Sequence, residues 1–474
     1  MLKVIVKPHR TGLRSGDSSP QKLFVLLKVI PSREVASARP PLALALVLDT
    51  SLSMRAFLDQ EAAGQLASSG SHAQGVAQDG AQYRSLDATL PTLLDSAIEA
   101  AHAMIDDARL SCEDLISIIH FDDNARALWP LASLQDKVAI HAAIEKLRRC
   151  AGETQMAKGL AVALSEMKKT SGAVVRRVIV FTDGATGDEA QCRSLAHQFY
   201  AMNAPLVAIG FGPEYNAGLM KELADSTGGR PYHLQKIALM REVLNTEIGQ
   251  STREVVTDLK LQVKAVQGVQ LECAHRVFPS LSEVPRATAL RLGNVAMGEY
   301  TAFILEFTIE GLSRTASRAR LAQLQLTARV PGNEVQGVST QAHVLPVQNL
   351  IVEFTHDEQA LAHTDDEVLG YVQQRNVGSL VESAIDRAQN DTEGARQQLQ
   401  SAAALAGRVG NASATRMLQN ALGELERTGE ISPDTRRTVA LGVRTRTVSL
   451  ASPQGQSDPV ADLSDDEIRH LSGT

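Results

Sequence analysis

Four cysteines in 474 residues, Cys112, Cys150, Cys192 and Cys273, are too few to staple the chain and fall in no metal-binding spacing. They read as free thiols of a reducing compartment. Aromatic residues make up only 4%, which excludes a stacking platform for single-stranded nucleic acid. Charge of one sign is also scarce: the formal net charge is -7, with no basic footprint for nucleic acid and no acidic run long enough to keep a chain disordered. The longest apolar run, Pro40 to Leu48, is far short of a membrane span. The N-terminal MLKVIVKPHRTGL lacks the apolar core of a signal peptide. The expectation is a cytoplasmic, bacterial-type protein of roughly two or three domains, with no membrane span and no nucleic-acid partner.

What is present begins with LALALVLDTSLSM, Leu42 to Met54. A strand with no polar face is covered on both sides, as in parallel sheets between helices. The loops at the carboxyl ends of such strands carry the ligand-binding groups of open α/β sheets. Asp49, Ser51 and Ser53 stand at that end. One carboxylate and two hydroxyls from a single turn are hard oxygen donors, suited to magnesium, manganese or calcium and not to zinc.

Apolar strands and amphipathic helices then alternate: strand 42–48, helix 91–109, strand 114–121, helices 134–149 and 156–168, strand 174–182, helix 188–202, strand 204–211, helix 216–227. This predicts an α/β domain over 41–245 with a doubly wound, mostly parallel sheet. The Ala-, Gly-, Ser- and Gln-biased stretch 55–90 reads as a flexible insertion loop. From about 250 to 355 the period becomes two, as in DLKLQVKAV, which predicts an antiparallel β-sandwich. Residues 1–40 hold two strands, LKVIVK and KLFVLLKVI, without helices of their own, so they are expected to join that sandwich and leave the α/β domain inserted in it. Residues 358–430 read as a helical region, and 431–474 as a flexible tail in which DLSDDEIRHL forms a short helix through a capping box.

Two further segments place polar groups at the same sheet edge. CAGETQMAKGL carries Thr154 just before a helix, and VIVFTDG carries Asp183 after a strand. Together with Asp49, Ser51 and Ser53 these residues resemble the metal-ion-dependent adhesion site of the von Willebrand factor A domain family, over about residues 40 to 245. The resemblance implies that Ser51, Ser53 and Thr154 contact a divalent cation directly, Mg2+ or else Mn2+ or Ca2+. It implies that Asp49 and Asp183 act directly or through water, and that an acidic group of a partner protein fills the open position. Leu52 and Glu153 stand where that family commonly has glycine. The resemblance extends to bacterial multidomain members that work as non-enzymatic adaptors, including with AAA-type ATPases or in kinase and phosphatase signalling.

The rival class is a metal-assisted phosphatase or hydrolase using Asp49 as nucleophile. It needs a base and cations near the metal, and only Lys158 lies close in sequence to the three loops. A third reading keeps the fold with a vestigial metal site and binds partners through the sandwich or tail. Asp122 and Asp123 read as turn formers, and His120 as a buried, hydrogen-bonded core residue. Thr438, Thr445 and Thr447, bracketed by Arg436, Arg437, Arg444 and Arg446, are candidates for phosphorylation in an exposed basic segment.

Overall fold

The computed structural model describes residues 2–17, 19–31, 39–58, 72–76, 82–86, 90–171, 174–212, 214–234, 236–310, 317–329, 342–388, 390–445, 447–448 and 450. The chain folds as two compact units. Pro40–Thr252 makes one, and the chain up to Arg39 together with that from Arg253 onward makes the other.

Three strands precede the first unit: β1 (Leu2–Pro8), β2 (Gly12–Arg14) and β3 (Gln21–Pro31). The unit itself starts with β4 (Leu42–Asp49), followed by a hairpin of β5 (His72–Val76) and β6 (Gln82–Leu86). Next come α1 (Leu93–Ile105), β7 (Leu115–Phe121), β8 (Ala125–Ser133), α2 (Lys137–Glu145) and α3 (Met156–Met167). It closes with β9 (Val175–Thr182), α4 (Glu189–Ala201), β10 (Leu206–Phe211), α5 (Ala217–Thr227), β11 (Arg230–Leu234) and α6 (Leu239–Ser251).

Its sheet runs β11-β10-β9-β4-β7-β8 and is parallel except for β8. β4 shows why. Leu42, Leu44, Leu46 and Leu48 face the layer of α1, α2 and α6, whereas the smaller Ala43, Ala45 and Val47 face that of α3, α4 and α5. All eight residues are buried, so both faces are covered and the strand has no place at an edge. From β4 the chain first builds outward to β7 and β8, then returns to β9 and builds the other way. The order therefore reverses between β4 and β9, a switch point where crevices open at the carboxyl ends.

Three elements of this unit escape the sequence reading. β8 is an edge strand with intermediate burial along its length, a Pro at 130 and no clean alternation. β11 has five residues, and α6 mixes polar and apolar positions on several sides. Within the segment expected as a flexible insertion loop, the described residues pair as the hairpin β5–β6. Val76, Tyr83 and Leu86 favour strands, and the Asp79-Gly80 pair between them is a hairpin signal that the Ala, Gln and Ser bias outweighed.

After β12 (Glu254–Ala265) the second unit continues with β13 (Val269–Phe278), β14 (Ser282–Glu283), β15 (Leu290–Ala296), β16 (Thr301–Ile309), β17 (Ser317–Arg329), β18 (Ala342–Val344) and β19 (Gln348–Thr355). Two sheets form, β1-β3-β16-β13-β14 and β15-β12-β17-β19-β2, with β18 on β17. β3 pairs with β16 over nine residues and β2 with β19. The N-terminal strands thus belong to the sandwich, and the α/β unit is an insertion between β3 and β12. Leu23, Val25, Leu27 and Val29 of β3 share one apolar core with Val256, Leu259, Phe303 and Phe307.

A short helix α7 (Glu358–Ala362) leads to α8 (Asp366–Arg387), α9 (Thr392–Arg408), α10 (Ala412–Thr428) and α11 (Pro433–Thr445). Val368, Tyr371 and Val372 of α8 pack on Leu26, Val277, Ala302 and Ile304 of the sandwich. The helices do not end at 430. Val439 and Val443 of α11 lie in the core of the helical domain with Val381, Leu399 and Leu418, because the Thr- and Arg-rich face of PDTRRTVALGVRT hides an apolar stripe at helical spacing.

Candidate functional site

β4 ends in Asp49, and the chain turns at once into a single 3-10 turn, Leu52–Arg55. Asp49 Oδ1 accepts the backbone N–H of Ser51 at 2.8 Å, which curls the turn back on the carboxylate. The Ser51 and Ser53 hydroxyls then lie 3.0 Å apart. Ser53 Oγ donates to Asp183 Oδ1 at 2.7 Å, and Thr182 Oγ1 donates to Asp49 Oδ2 at 2.6 Å. The ends of β4 and β9 are therefore laced by side chains across the switch point.

Thr154 reaches the same place from the loop before α3. A Cβ built on Gly184 would sit 3.2 Å from Thr154 Oγ1 and 3.7 Å from Ser53 Oγ. Both hydroxyls border a small space that a side chain at 184 would fill. Thr186 and Asp188 hold that loop: Thr186 Oγ1 donates to the Thr154 carbonyl at 3.2 Å and accepts from Met156 N–H at 3.1 Å, and Asp188 Oδ2 accepts from Ala157 N–H at 2.9 Å. The first turn of α3 is thus capped from another loop, satisfying donors that its own N-cap, Gln155, leaves open. On the other side, Leu52 N–H donates to Gly152 O at 3.0 Å and Glu153 N–H to Asp123 Oδ1 at 3.1 Å.

Asp49, Ser51, Ser53, Thr154 and Asp183 are therefore neighbours in space, three loops converging at one point. Asp49 is fully buried, and Asp183 nearly so. Burial drives both carboxyls above their ordinary range, Asp49 to about 6, with Asp183 adding repulsion to Asp49 and hydroxyl donors opposing the shift. Two buried carboxylates repelling each other are an arrangement that a bound cation would relieve. Ser53 is exposed, and Leu52 beside it is 50% exposed, so the crevice opens to solvent under an apolar lip.

Asp122 acts as the turn former expected, whereas the Asp123 carboxylate reaches another loop. Asn124 N–H donates to Asp122 Oδ1 at 2.8 Å, and Asp123 holds the Thr154 loop. Lys158 Nζ is bonded to the Asp123 carbonyl and so is not a free cation for the carboxylates. Thr182, Gly184, Thr186 and Asp188 were missed as site residues. Only the run TDGATGD could have flagged them, because their partners come from other loops. Of the modification candidates, Thr438 and Thr447 have enclosed hydroxyl oxygens, Thr438 on α11, which packs into the helical core through Val439 and Val443. Thr445 ends α11, and DLSDDEIRHL lies outside the described residues.

Residues 91–246 match the model of the von Willebrand factor type A domain. That segment is a von Willebrand factor type A domain. The matched segment holds Thr154 and Asp183, while the Asp49–Ser53 turn precedes it. Residues 366–449 match the Sll0103-like, C-terminal alpha-helical domain, the segment that folds into α8–α11. Among curated relatives, the uncharacterized protein sll0103 of Synechocystis is 23% identical over 246 residues, 52% of this chain and 56% of that protein. The uncharacterized protein YfbK of Escherichia coli is 24% identical over 221 residues, 44% of this chain and 38% of that protein. The matches thus span about half or less of the relatives' lengths. The von Willebrand factor type A protein from Catenulispora acidiphila shares the fold over 94% of this chain and 97% of its own, with a TM-score of 0.73 and 16% identity. The ArnB paralog VWA2 from Sulfolobus acidocaldarius does so over 94% and 99%, with a TM-score of 0.58 and 15% identity. The von Willebrand factor A domain here is thus a module of the protein-interaction type, and among the described residues no helix is long and apolar enough to cross a membrane.

Proposed function

We propose that the protein is a non-enzymatic, divalent-metal-dependent binding module that captures an acidic group of a partner protein. The observation that carries this reading is the convergence of the Ser51, Ser53 and Thr154 hydroxyls with the buried carboxylates of Asp49 and Asp183 at the switch point. These five residues would hold the cation, and the donor set is all hard oxygen, which fits Mg2+ or else Mn2+ or Ca2+. Such an ion, held mainly by neutral hydroxyls, keeps unneutralised charge and supplies an acceptor position for a carboxylate.

The chain's own groups prepare that position. Thr182 and the Ser51 N–H fix Asp49, Asp183 orients Ser53, and Gly184 leaves the space open. The exposed Leu52 offers apolar area beside the ion for a protein partner, whose acidic side chain would supply the charge. In this reading the module works as an adaptor in an intracellular bacterial assembly, with an AAA-type ATPase or a kinase or phosphatase system as the partners the family resemblance suggests. The test is isothermal titration of the purified chain with Mg2+ and Mn2+, alongside Ser51→Ala/Ser53→Ala. Saturable binding in the intact protein that disappears in the double variant is expected. No saturable heat in the intact protein overturns the reading.

A further inference from the structure

Behind the same turn lies a second group of potential ligands. His120 and Asp122, at and just past the end of β7, meet Cys150, which follows a 3-10 turn at Lys146–Arg149. One ring nitrogen, one carboxylate oxygen and Cys150 Sγ lie within 4.8 Å of one another, and all three residues are buried. Local structure accounts for only part of their bonding capacity. His120 Nδ1 is 3.5 Å from Asp122 Oδ2 and 3.3 Å from Thr50 Oγ1, yet His120 Nε2 is sealed from solvent without a hydrogen-bond partner. Cys150 Sγ lies 3.7 Å from the Lys146 carbonyl and otherwise interacts with the His120 ring. A core histidine retained only for packing would satisfy both its nitrogens.

We propose that His120, Asp122 and Cys150 form a second metal centre, specific for a thiophilic divalent cation of the Zn2+ class. The argument is one of softness and charge. Thiolate, imidazole and carboxylate are the zinc donor set, in contrast to the all-oxygen set around Ser51 and Ser53. The ion's two positive charges would be balanced by one thiolate and one carboxylate, so a buried centre would be neutral, with the thiol proton released to solvent on binding. Ligand atoms around tetrahedral zinc, at bonds of about 2.0–2.3 Å, stand about 3.3–3.8 Å apart, so side-chain shifts of roughly 1 Å close the group around an ion. The burial of Cys150 admits a small ion more readily than an electrophilic substrate, which disfavours reading the trio as a nucleophile with its base. Around it, Thr50 Oγ1 lies 3.1 Å from Asp122 Oδ2, and Arg55 Nη2 donates to the Cys150 carbonyl at 3.0 Å. Both belong to the segment that carries Ser51 and Ser53, so the two centres share a support.

Titration of the full chain with Co2+, followed by optical absorption, tests this. The expected result is a thiolate-to-cobalt charge-transfer band with the visible bands of a tetrahedral ion, displaced by Zn2+. It should be lost in Cys150→Ser and in His120→Gln, and retained in Ser51→Ala/Ser53→Ala. Thr50→Val, which removes the hydroxyl beside Asp122, should weaken affinity about 10–100-fold. Circular dichroism of each variant shows which are folded, and either ligand variant alone suffices. Absence of the band in the intact chain, its persistence in a folded ligand variant, or its loss in the serine variant would overturn the proposal. The serine variant also separates the two centres, since failure of the first leaves this spectrum unchanged.

Discussion

Thr182, the last residue of β9, donates its hydroxyl proton to Asp49 Oδ2, on the last residue of β4, at 2.6 Å. Both residues are buried, so the bond is made where water cannot replace it. Thr182→Val keeps the shape and removes the donor. We expect a loss of about 1–3 kcal/mol, the cost of leaving a buried polar group short of a partner, read as a lower urea midpoint with unchanged slope. Manganese affinity should fall with it, and Thr182→Ser should restore both. An unchanged midpoint would mean the bond contributes nothing to the switch point.

The approach of α3 to β7 is equally specific. A Cβ on Gly159 would come within 2.9 Å of Phe121 Cβ and Cδ1. In Gly159→Ala, overpacking of about 1–3 kcal/mol should outweigh the helix-propensity gain of about 1 kcal/mol. Because α3 starts just after Thr154, metal affinity should drop as well. Chemical denaturation checks this, and a raised midpoint would contradict the close contact.

Acid sensitivity of the second unit should centre on Glu306. Burial opposes its ionisation, but Lys22 Nζ at 2.6 Å and Arg375 Nη1 at 2.8 Å prevail and hold its carboxyl down at about 2. A carboxyl depressed on folding stabilises the native state above its unfolded value of about 4.5, and that contribution fades as pH falls toward 2. Urea midpoints between neutral pH and pH 3 should therefore fall in the native chain and fall less steeply in Glu306→Gln. Parallel curves for the two proteins would refute the assignment.

Removal of everything after Glu430 tests the place of α11. Val439, Leu441 and Val443 are almost fully buried, each worth about 1.5–3 kcal/mol on burial. The shortened chain should unfold at a lower temperature, with the helical domain losing cooperativity first. A thermal midpoint equal to that of the full chain would show that α11 adds no stability.

The core layers were legible in the sequence because their signal is local. LALALVLD has no polar face, the stripe Leu94, Ala97, Ile98, Ala101, Met104 and Ile105 repeats at helical spacing, and the period of two after residue 254 marks antiparallel strands. Asp49, Ser51, Ser53, Thr154 and Asp183 could be nominated together since each follows a strand or precedes a helix at one sheet edge. Edge strand β8 and helix α11 were hidden where polar residues mask the apolar side.

What the sequence by itself determined is which segments are apolar on two faces, one face or none, and hence the three architectures of α/β sheet, sandwich and helices. Only the tertiary structure decided the pairing of partners far apart in the chain. β3 pairs with β16 across the whole inserted unit, Thr182 meets Asp49, and Cys150 comes to rest beside His120 and Asp122. Such contacts depend on strand order and on the closure of loops, from about thirty residues for Cys150 and His120 to well over a hundred for β3 and β16, and the spacing of residues along the chain carries no record of either.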